Sequence, residues 1–263
     1  MLKTILARLY QGHRTMAYPA ETPVLPERFR GYPRLQPERC PAGCTECAEA
    51  CPYGAITVGN DDRGTGTGKN VALDLGKCLF CPECSQACPH GAITFTSDHR
   101  LAARRREELV VRAGDEQRLA RALDEKMLKL FDRSLKLREV SAAGCNACEA
   151  DTNVLSTVGF DLSRFGIQFV ASPRHADGLF VTGPVSENMR EALLKTWEAI
   201  PAPKLVIACG ACAINGGPFL GNPEIHNGVD GLLPVDLHIP GCPPHPLTIL
   251  DGLLRLLDKM SAS

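Results

Sequence analysis

The chain has 263 residues and a formal net charge of −1 at pH 7, a balance that argues against a nucleic-acid partner. An apolar content of 44% supports a packed core, and the length allows two domains. Thirteen cysteines, an odd number, fit poorly with a secreted disulfide scaffold, whereas clustered thiols of this kind belong on metal in a reducing compartment.

The opening residues place Leu2, Ile5, Leu6 and Leu9 on one helical face. That face is short and carries only Lys3 and Arg8 as basic residues, so docking onto a partner subunit is expected rather than lying on lipid. Pro19, Pro23, Pro26, Pro33 and Pro37 then predict an extended N-terminal arm over residues 1–37, for which a loose tail and an interface segment are both open. No apolar stretch reaches the length of a spanning helix, and no apolar signal core precedes the arm. Membrane attachment is therefore expected through partner subunits, on the cytoplasmic face.

Residues 38–98 hold two matching cysteine runs, Cys40-x3-Cys44-x2-Cys47-x3-Cys51-Pro52 and Cys78-x2-Cys81-x2-Cys84-x3-Cys88-Pro89. Both approximate the bacterial run in which three cysteines hold one cluster and the fourth holds the other. The expected sets are Cys40, Cys44, Cys47 and Cys88 for the first cluster, and Cys78, Cys81, Cys84 and Cys51 for the second. The tails also repeat, Cys51-Pro-Tyr-Gly-Ala-Ile-Thr-Val58 against Cys88-Pro-His-Gly-Ala-Ile-Thr-Phe95, which marks a duplicated ferredoxin module. Zinc is the rival for four thiolates, but it has no use for a crossed fourth cysteine followed by proline. The extra residue between Cys40 and Cys44 departs from the usual spacing.

From Arg100 to Arg138 there are twelve Lys/Arg against seven Asp/Glu, one Gly and no Pro, which predicts a charged helical connector over residues 99–137. Leu119, Leu123, Met127 and Leu130 recur at helical spacing as a packing stripe. Arg104, Arg105 and Arg106 are followed at once by Glu107 and Glu108, so a solvated face is expected rather than an anion-binding patch.

Residues 138–263 change character. Short β-rich runs at 167–171, 178–182, 204–208 and 235–239 alternate with helical stretches near 187–199 and 246–260, which predicts a parallel α/β sheet. Ligands in such sheets gather beyond the carboxyl ends of the strands. Cys145 and Cys148 follow the run Leu137–Val140, Cys209 and Cys212 follow Ala208, and Cys242 follows Ile239, so the fold brings three cysteine sites to one edge. Their contexts are Gly144-Cys-Asn-Ala-Cys-Glu149, Gly210-Ala-Cys-Ala-Ile-Asn-Gly-Gly217 and Pro240-Gly-Cys-Pro-Pro-His-Pro246.

In these motifs residues 133–258 resemble the small electron-transfer subunit shared by membrane-bound nickel–iron hydrogenases and respiratory complex I. The upstream part resembles the two-cluster ferredoxin subunit of the same assemblies, and the whole looks like a fusion of the two, close to formate-hydrogenlyase-type subunits. The resemblance implies a flavodoxin-like C-terminal domain and a third [4Fe–4S] cluster on Cys145, Cys148, Cys212 and Cys242. It also implies a large catalytic subunit and membrane-embedded subunits as partners, with a further redox partner at the ferredoxin domain. Three [4Fe–4S] clusters would relay electrons to or from a nickel–iron site in the large subunit, and no catalytic residue is expected in this chain. Complex I subunits carry adjacent cysteines at the first position, whereas two residues separate Cys145 from Cys148 here, the hydrogenase spacing. A complex I-like subunit passing electrons to a quinone or another carrier is the alternative, and a structural zinc scaffold is the alternative of another class. Cys209 is left over, as a competitor of Cys212 or as a small buried hydrophobe. Glu149 is read as a proton relay, a tuning charge or a surface acid, and His245 as a donor to a cluster sulfur or a bystander.

Overall fold

The computed structural model describes residues 2–41, 43–59, 70–115, 117–131 and 133–260. Residues 60–69, within the predicted ferredoxin domain, and Met1 lie outside the described residues. Helix α1 (Leu2–Gln11) opens the chain and buries none of its side chains, leaving Leu2 and Leu9 72% and 75% exposed.

After α1 the chain through residue 32 contains no helix or strand but turns at residues 18–20 and 27–28, and it is fastened to both halves of the molecule. The Met16 N–H donates to the Gly159 carbonyl at 2.8 Å, and the Arg164 guanidinium donates to the carbonyls of Met16 and Tyr18. The Tyr18 hydroxyl donates to Asp251 Oδ1 at 2.7 Å and meets His99 Nε2 at 3.1 Å. Burial, reinforced by the Asp251 carboxylate, pushes the Tyr18 phenol far above its ordinary range. Farther along, the N–H groups of Gly31 and Tyr32 pair with the carbonyls of Thr96 and Asp98. From Met16 onward the arm is thus an interface segment within its own chain.

Strand β1 (Pro33–Leu35) falls inside the predicted arm but belongs to the ferredoxin fold. It is followed by α2 (Glu46–Glu49), β2 (Ile56–Gly59), β3 (Asn70–Asp74), α3 (Glu83–Ala87) and β4 (Ile93–Phe95). The elements β1, α2 and β2 repeat as β3, α3 and β4 at the offset that separates Cys51 from Cys88. Pairing is crossed: β1 runs antiparallel to β4, and β2 antiparallel to β3. Each half completes the other's sheet, which is the structural counterpart of the crossed cysteine.

The helical connector predicted for residues 99–137 is corrected by the structure. Among the described residues its helical pieces are a 3₁₀ turn at Arg106–Leu109 and α4 (Glu125–Phe131), separated by β5 (Val110–Arg112) and irregular chain. Leu119 and Leu123 therefore do not share a helix with Met127 and Leu130. Long-range partners override local propensity here. Strand β5 adds to the open side of β3 and buries Val111, and Arg106 makes a two-pronged ion pair with Asp74 at 2.7 and 2.8 Å. Ala103 bridges His238, laying the connector against the edge of the C-terminal sheet. The remaining arginines of the triplet are also used internally, Arg105 on Glu108 and Arg104 on the Ala122 carbonyl.

The C-terminal domain contains β6 (Leu135–Ser141), α5 (Ala147–Val154), β7 (Ile167–Phe169), β8 (Gly178–Thr182) and α6 (Glu187–Ala199). It continues with β9 (Leu205–Cys209), α7 (Ala211–Asn215), β10 (Leu237–Ile239) and α8 (Pro246–Leu256). The five strands are all parallel in the order β7-β6-β8-β9-β10, the flavodoxin-like order. Strict alternation sends Leu179, Val181, Val206 and Ala208 into a core shared with the ferredoxin module. Leu135, Leu137, Phe180 and Ile207 face α8 on the other side. Helix α8 is buried along its length except at Arg255, with Thr248 and Asp251 as its buried polar side chains. Leu250, Leu253 and Leu254 have no exposed surface, each burial worth about 1.5–3 kcal/mol.

Candidate metal centres

The short helices α2 and α3 bury Cys47 and Cys84 between the two halves of the ferredoxin module. Burial raises the Cys47 thiol, and its neighbours Cys40, Cys88 and Cys44 add to the effect. Burial likewise pushes Cys78 up to about 12, with Cys84, Cys81 and Cys51 as neighbouring thiols. Cys84 rises to about 11 through burial and then through Cys81, Cys51 and Cys47. Cys88 thus stands with the first three cysteines and Cys51 with the second three, and Cys84 also senses Cys47 of the first set.

Backbone amides already point at sulfur. The N–H groups of Ala55, Ala92 and Phe80 donate to the Sγ atoms of Cys51, Cys88 and Cys78, each at 3.3 Å. The first two are the same bond in the two halves, produced by the same turn, in which Gly54 and Gly91 take φ values of +58° and +59°. Soft thiols with N–H donors on sulfur are the donor set that an iron–sulfur cluster requires, so the residues fit that group.

The third cysteine group lies beyond the carboxyl ends of β6, β9 and β10, beside the switch point between β6 and β8. Cys145 sits in the loop after β6, Cys148 in the first turn of α5, Cys212 in α7, and Cys242 just past β10. Burial pushes Cys212 up to about 12, and the thiols of Cys242, Cys148 and Cys145 push the same way. Cys242 is raised by burial and then by Cys148 and Cys145. Two glycines cradle the group. A Cβ on Gly210, where φ is +90°, would lie 2.6 Å from Cys148 Sγ, and one on Gly217 2.8 Å from Cys212 Sγ. Cys145 and Cys242 are exposed, so the group opens to the surface.

Cys209 ends β9 with no exposed surface and points into the core that faces α8. Burial raises its thiol well above the ordinary value, and a hydrogen bond with Cys148 acts in the same direction. It backs Cys148 from the sheet side, as a small buried side chain rather than a member of the exposed rim.

Glu149 is 7% exposed, which excludes the surface-acid reading. Burial alone would raise it, but hydrogen bonds with Ser141 and Thr182 outweigh that and hold it below the usual carboxylate range. The Thr182 hydroxyl donates to Glu149 Oε1 at 2.6 Å. Beside it lies Glu139, which sequence reasoning missed. Its Oε1 is buried without a hydrogen-bond partner, and burial followed by the Glu149 charge pushes its carboxyl up to about 7. The signal was available in the alternation of β6, because Leu135 and Leu137 point inward and Glu139 continues their face. His245 has a structural role: its Nδ1 caps α8 by accepting the Leu247 N–H at 3.2 Å, and its ring stands edge-on to Phe29.

An open parallel sheet with four thiols at its ligand edge, joined to a duplicated module carrying eight more, defines an iron–sulfur protein of the electron-transfer class. Residues 145–256 match the family described as NADH ubiquinone oxidoreductase, 20 kDa subunit, and residues 27–92 match the 4Fe-4S dicluster domain. The chain is 40% identical over 135 residues to the probable membrane-bound hydrogenase subunit mbhJ of Pyrococcus furiosus, covering 51% of this chain and 81% of that one. It is 43% identical over 131 residues to formate hydrogenlyase subunit 7 of Escherichia coli, about half of each chain. It is 42% identical over 118 residues to an NADH-quinone oxidoreductase subunit of Clostridium beijerinckii, covering 44% of this chain and 70% of that one. The chain belongs to this 20 kDa subunit family, fused to a 4Fe-4S dicluster domain.

Proposed function

We propose that this chain is the electron-transfer subunit of a membrane-associated hydrogenase complex, relaying electrons through three [4Fe–4S] clusters to or from a nickel–iron site in a partner large subunit. The sets are Cys40, Cys44, Cys47 and Cys88; Cys78, Cys81, Cys84 and Cys51; and Cys145, Cys148, Cys212 and Cys242. When bound, each cluster supplies a one-electron couple. The chain itself holds the sulfurs, aims amides at Cys51, Cys78 and Cys88, and keeps water from Cys47, Cys78 and Cys84.

The observation that carries the reading is the third group. Two residues separate its Cys145 from Cys148, and Cys145 and Cys242 are exposed at one sheet edge, where a partner's redox centre can approach. The resemblance to the formate hydrogenlyase and membrane-bound hydrogenase subunits supports the nickel–iron terminus. The similarity to the NADH-quinone oxidoreductase subunit favours the second reading, in which the large subunit passes electrons to a quinone or another carrier. Among the described residues no helix is long and apolar enough to cross a membrane. Attachment to the cytoplasmic face falls to membrane-embedded partner subunits, with the exposed apolar face of α1 as one docking element.

The experiment is metal analysis of the purified complex with hydrogen as reductant. Nickel together with hydrogen-dependent dye reduction is the expected result. Iron without nickel and without hydrogen-dependent reduction selects the carrier reading, and a colourless zinc-loaded chain rejects both.

A further inference from the structure

Among the equivalent positions of the two halves of the ferredoxin module, one pairs a glycine with a phenylalanine in the same unusual backbone region. Gly43 and Phe80 each precede the second cysteine of their run, Cys44 and Cys81, and both have positive φ, +77° and +55°. Glycine adopts that backbone freely, and the space around Gly43 is open. A phenylalanine in this region is an outlier that persists only when its surroundings hold it there.

Three contacts hold Phe80. Its carbonyl accepts from Nε of Arg30, a residue of the N-terminal arm. Its N–H donates to Cys78 Sγ at 3.3 Å, and its ring packs on Phe95 with centroids 6.2 Å apart. Leu79 and Phe80 also line a cavity of about 250 Å³ whose opposite wall includes Gly241, Cys242 and Pro243. The strained residue therefore lies where the second cysteine set faces the third.

We propose that Arg30 is a positioning residue for electron transfer: by gripping the Phe80 carbonyl it fixes the Phe80 N–H on Cys78 Sγ and so raises the reduction potential of the second set. The inference rests on the cluster assignment above. A hydrogen bond to a ligand sulfur offsets the negative charge gained on reduction, so losing it makes reduction harder. Electron exchange between neighbouring clusters moves one electron, oxidising one as it reduces the other, and neither a bond nor a proton changes place.

The test is an EPR-monitored redox titration of the complex containing the full chain, with iron counted in each variant. Wild type reports the cluster assignment on its own, because three separately titrating centres must be present before any variant is read. Arg30→Ala is expected to move one midpoint to more negative potential by roughly a tenfold fall in its reduction constant, about 59 mV for one electron. The other two midpoints stay in place. Arg30→Lys keeps the charge and a donor and should remain near wild type. The double variant Arg30→Ala/Phe80→Gly lacks the charge but lets glycine adopt the conformation unaided, as Gly43 does, and should recover the midpoint. If Arg30→Ala loses iron, recovery of both iron and midpoint in the double variant supports the proposal, and failure to recover overturns it. Unchanged midpoints in fully loaded Arg30→Ala also overturn it, as does a shift common to all three centres or rescue by lysine but not by the double variant.

Discussion

Gly210 is the position at which one added methyl group should separate the third cluster from the other two. Its backbone, φ +90° and ψ 155°, lies in a region essentially reserved for glycine, so alanine pays about 1–3 kcal/mol there. The new Cβ would stand 2.6 Å from Cys148 Sγ and 3.6 Å from the Gly241 carbonyl oxygen, closer to the sulfur than real Cβ atoms come. Overpacking of this kind adds about 1–3 kcal/mol and is relieved most easily by displacing the thiol. Gly210→Ala should therefore destabilise the chain by about 2–6 kcal/mol in all and remove the signal of the third cluster, leaving the two ferredoxin signals intact. Gly43→Ala is the control: its φ is +77° and nothing lies within 4 Å of the added Cβ, so only backbone strain of about 1–2 kcal/mol applies. Thermal melting, iron content and low-temperature EPR read the outcome together. A Gly210→Ala protein with full iron, three unaltered signals and the melting temperature of wild type would refute the cradle argument.

Further outcomes follow from the same geometry. Cys212→Ala should lose one cluster's worth of iron, whereas Cys209→Ala should keep it and show only the cost of a small cavity, about 1 kcal/mol in a urea melt; the reverse pattern would exchange their roles. Tyr18→Phe removes the donor to buried Asp251 and should lower stability by about 1–3 kcal/mol, with proteolysis increasing first in the arm. Glu139 ionises from about pH 4.5 in the unfolded chain but only near 7 in the folded one, so its carboxylate opposes folding. Stability should be intact below pH 4.5 and fall by about 1–2 kcal/mol as the pH rises to about 7, a figure reduced from the full shift because the side chain is partly exposed. Glu139→Gln should flatten that part of the profile in urea melts taken across the range, and an unchanged slope would assign it to other groups.

The cysteine runs were legible in the sequence because thiol spacing and the trailing proline are local. The repeat from Cys51 to Phe95 likewise announced the two-fold arrangement of α2 and α3. The parallel sheet was legible because β8 and β9 are buried on both faces and read as continuous apolar runs. What escaped depends on distant partners. Strand β1 has three residues and starts with proline, too short for any period to show, and exists because β4 lies beside it. Strand β5 looked like part of a charged helix until β3 offered an open edge and Asp74 a partner for Arg106. At the candidate site, strand ends alone placed Cys145 and Cys148, Cys209 and Cys212, and Cys242 at one edge, and the choice of Cys212 over Cys209 came from the family resemblance. The burial of Glu149 and the Arg30 grip on Phe80 instead join residues from different elements, and no local pattern encodes them.

The central claim is three separate clusters, two in a crossed ferredoxin module and one at the sheet edge. The most direct test is iron and acid-labile sulfide per chain with Mössbauer spectroscopy on wild type and Cys242→Ala. Three [4Fe–4S] clusters give about twelve iron atoms in wild type and about eight in the variant, with the ferredoxin signals unchanged. About eight in wild type, or an equal loss from all three signals in Cys242→Ala, would contradict the account.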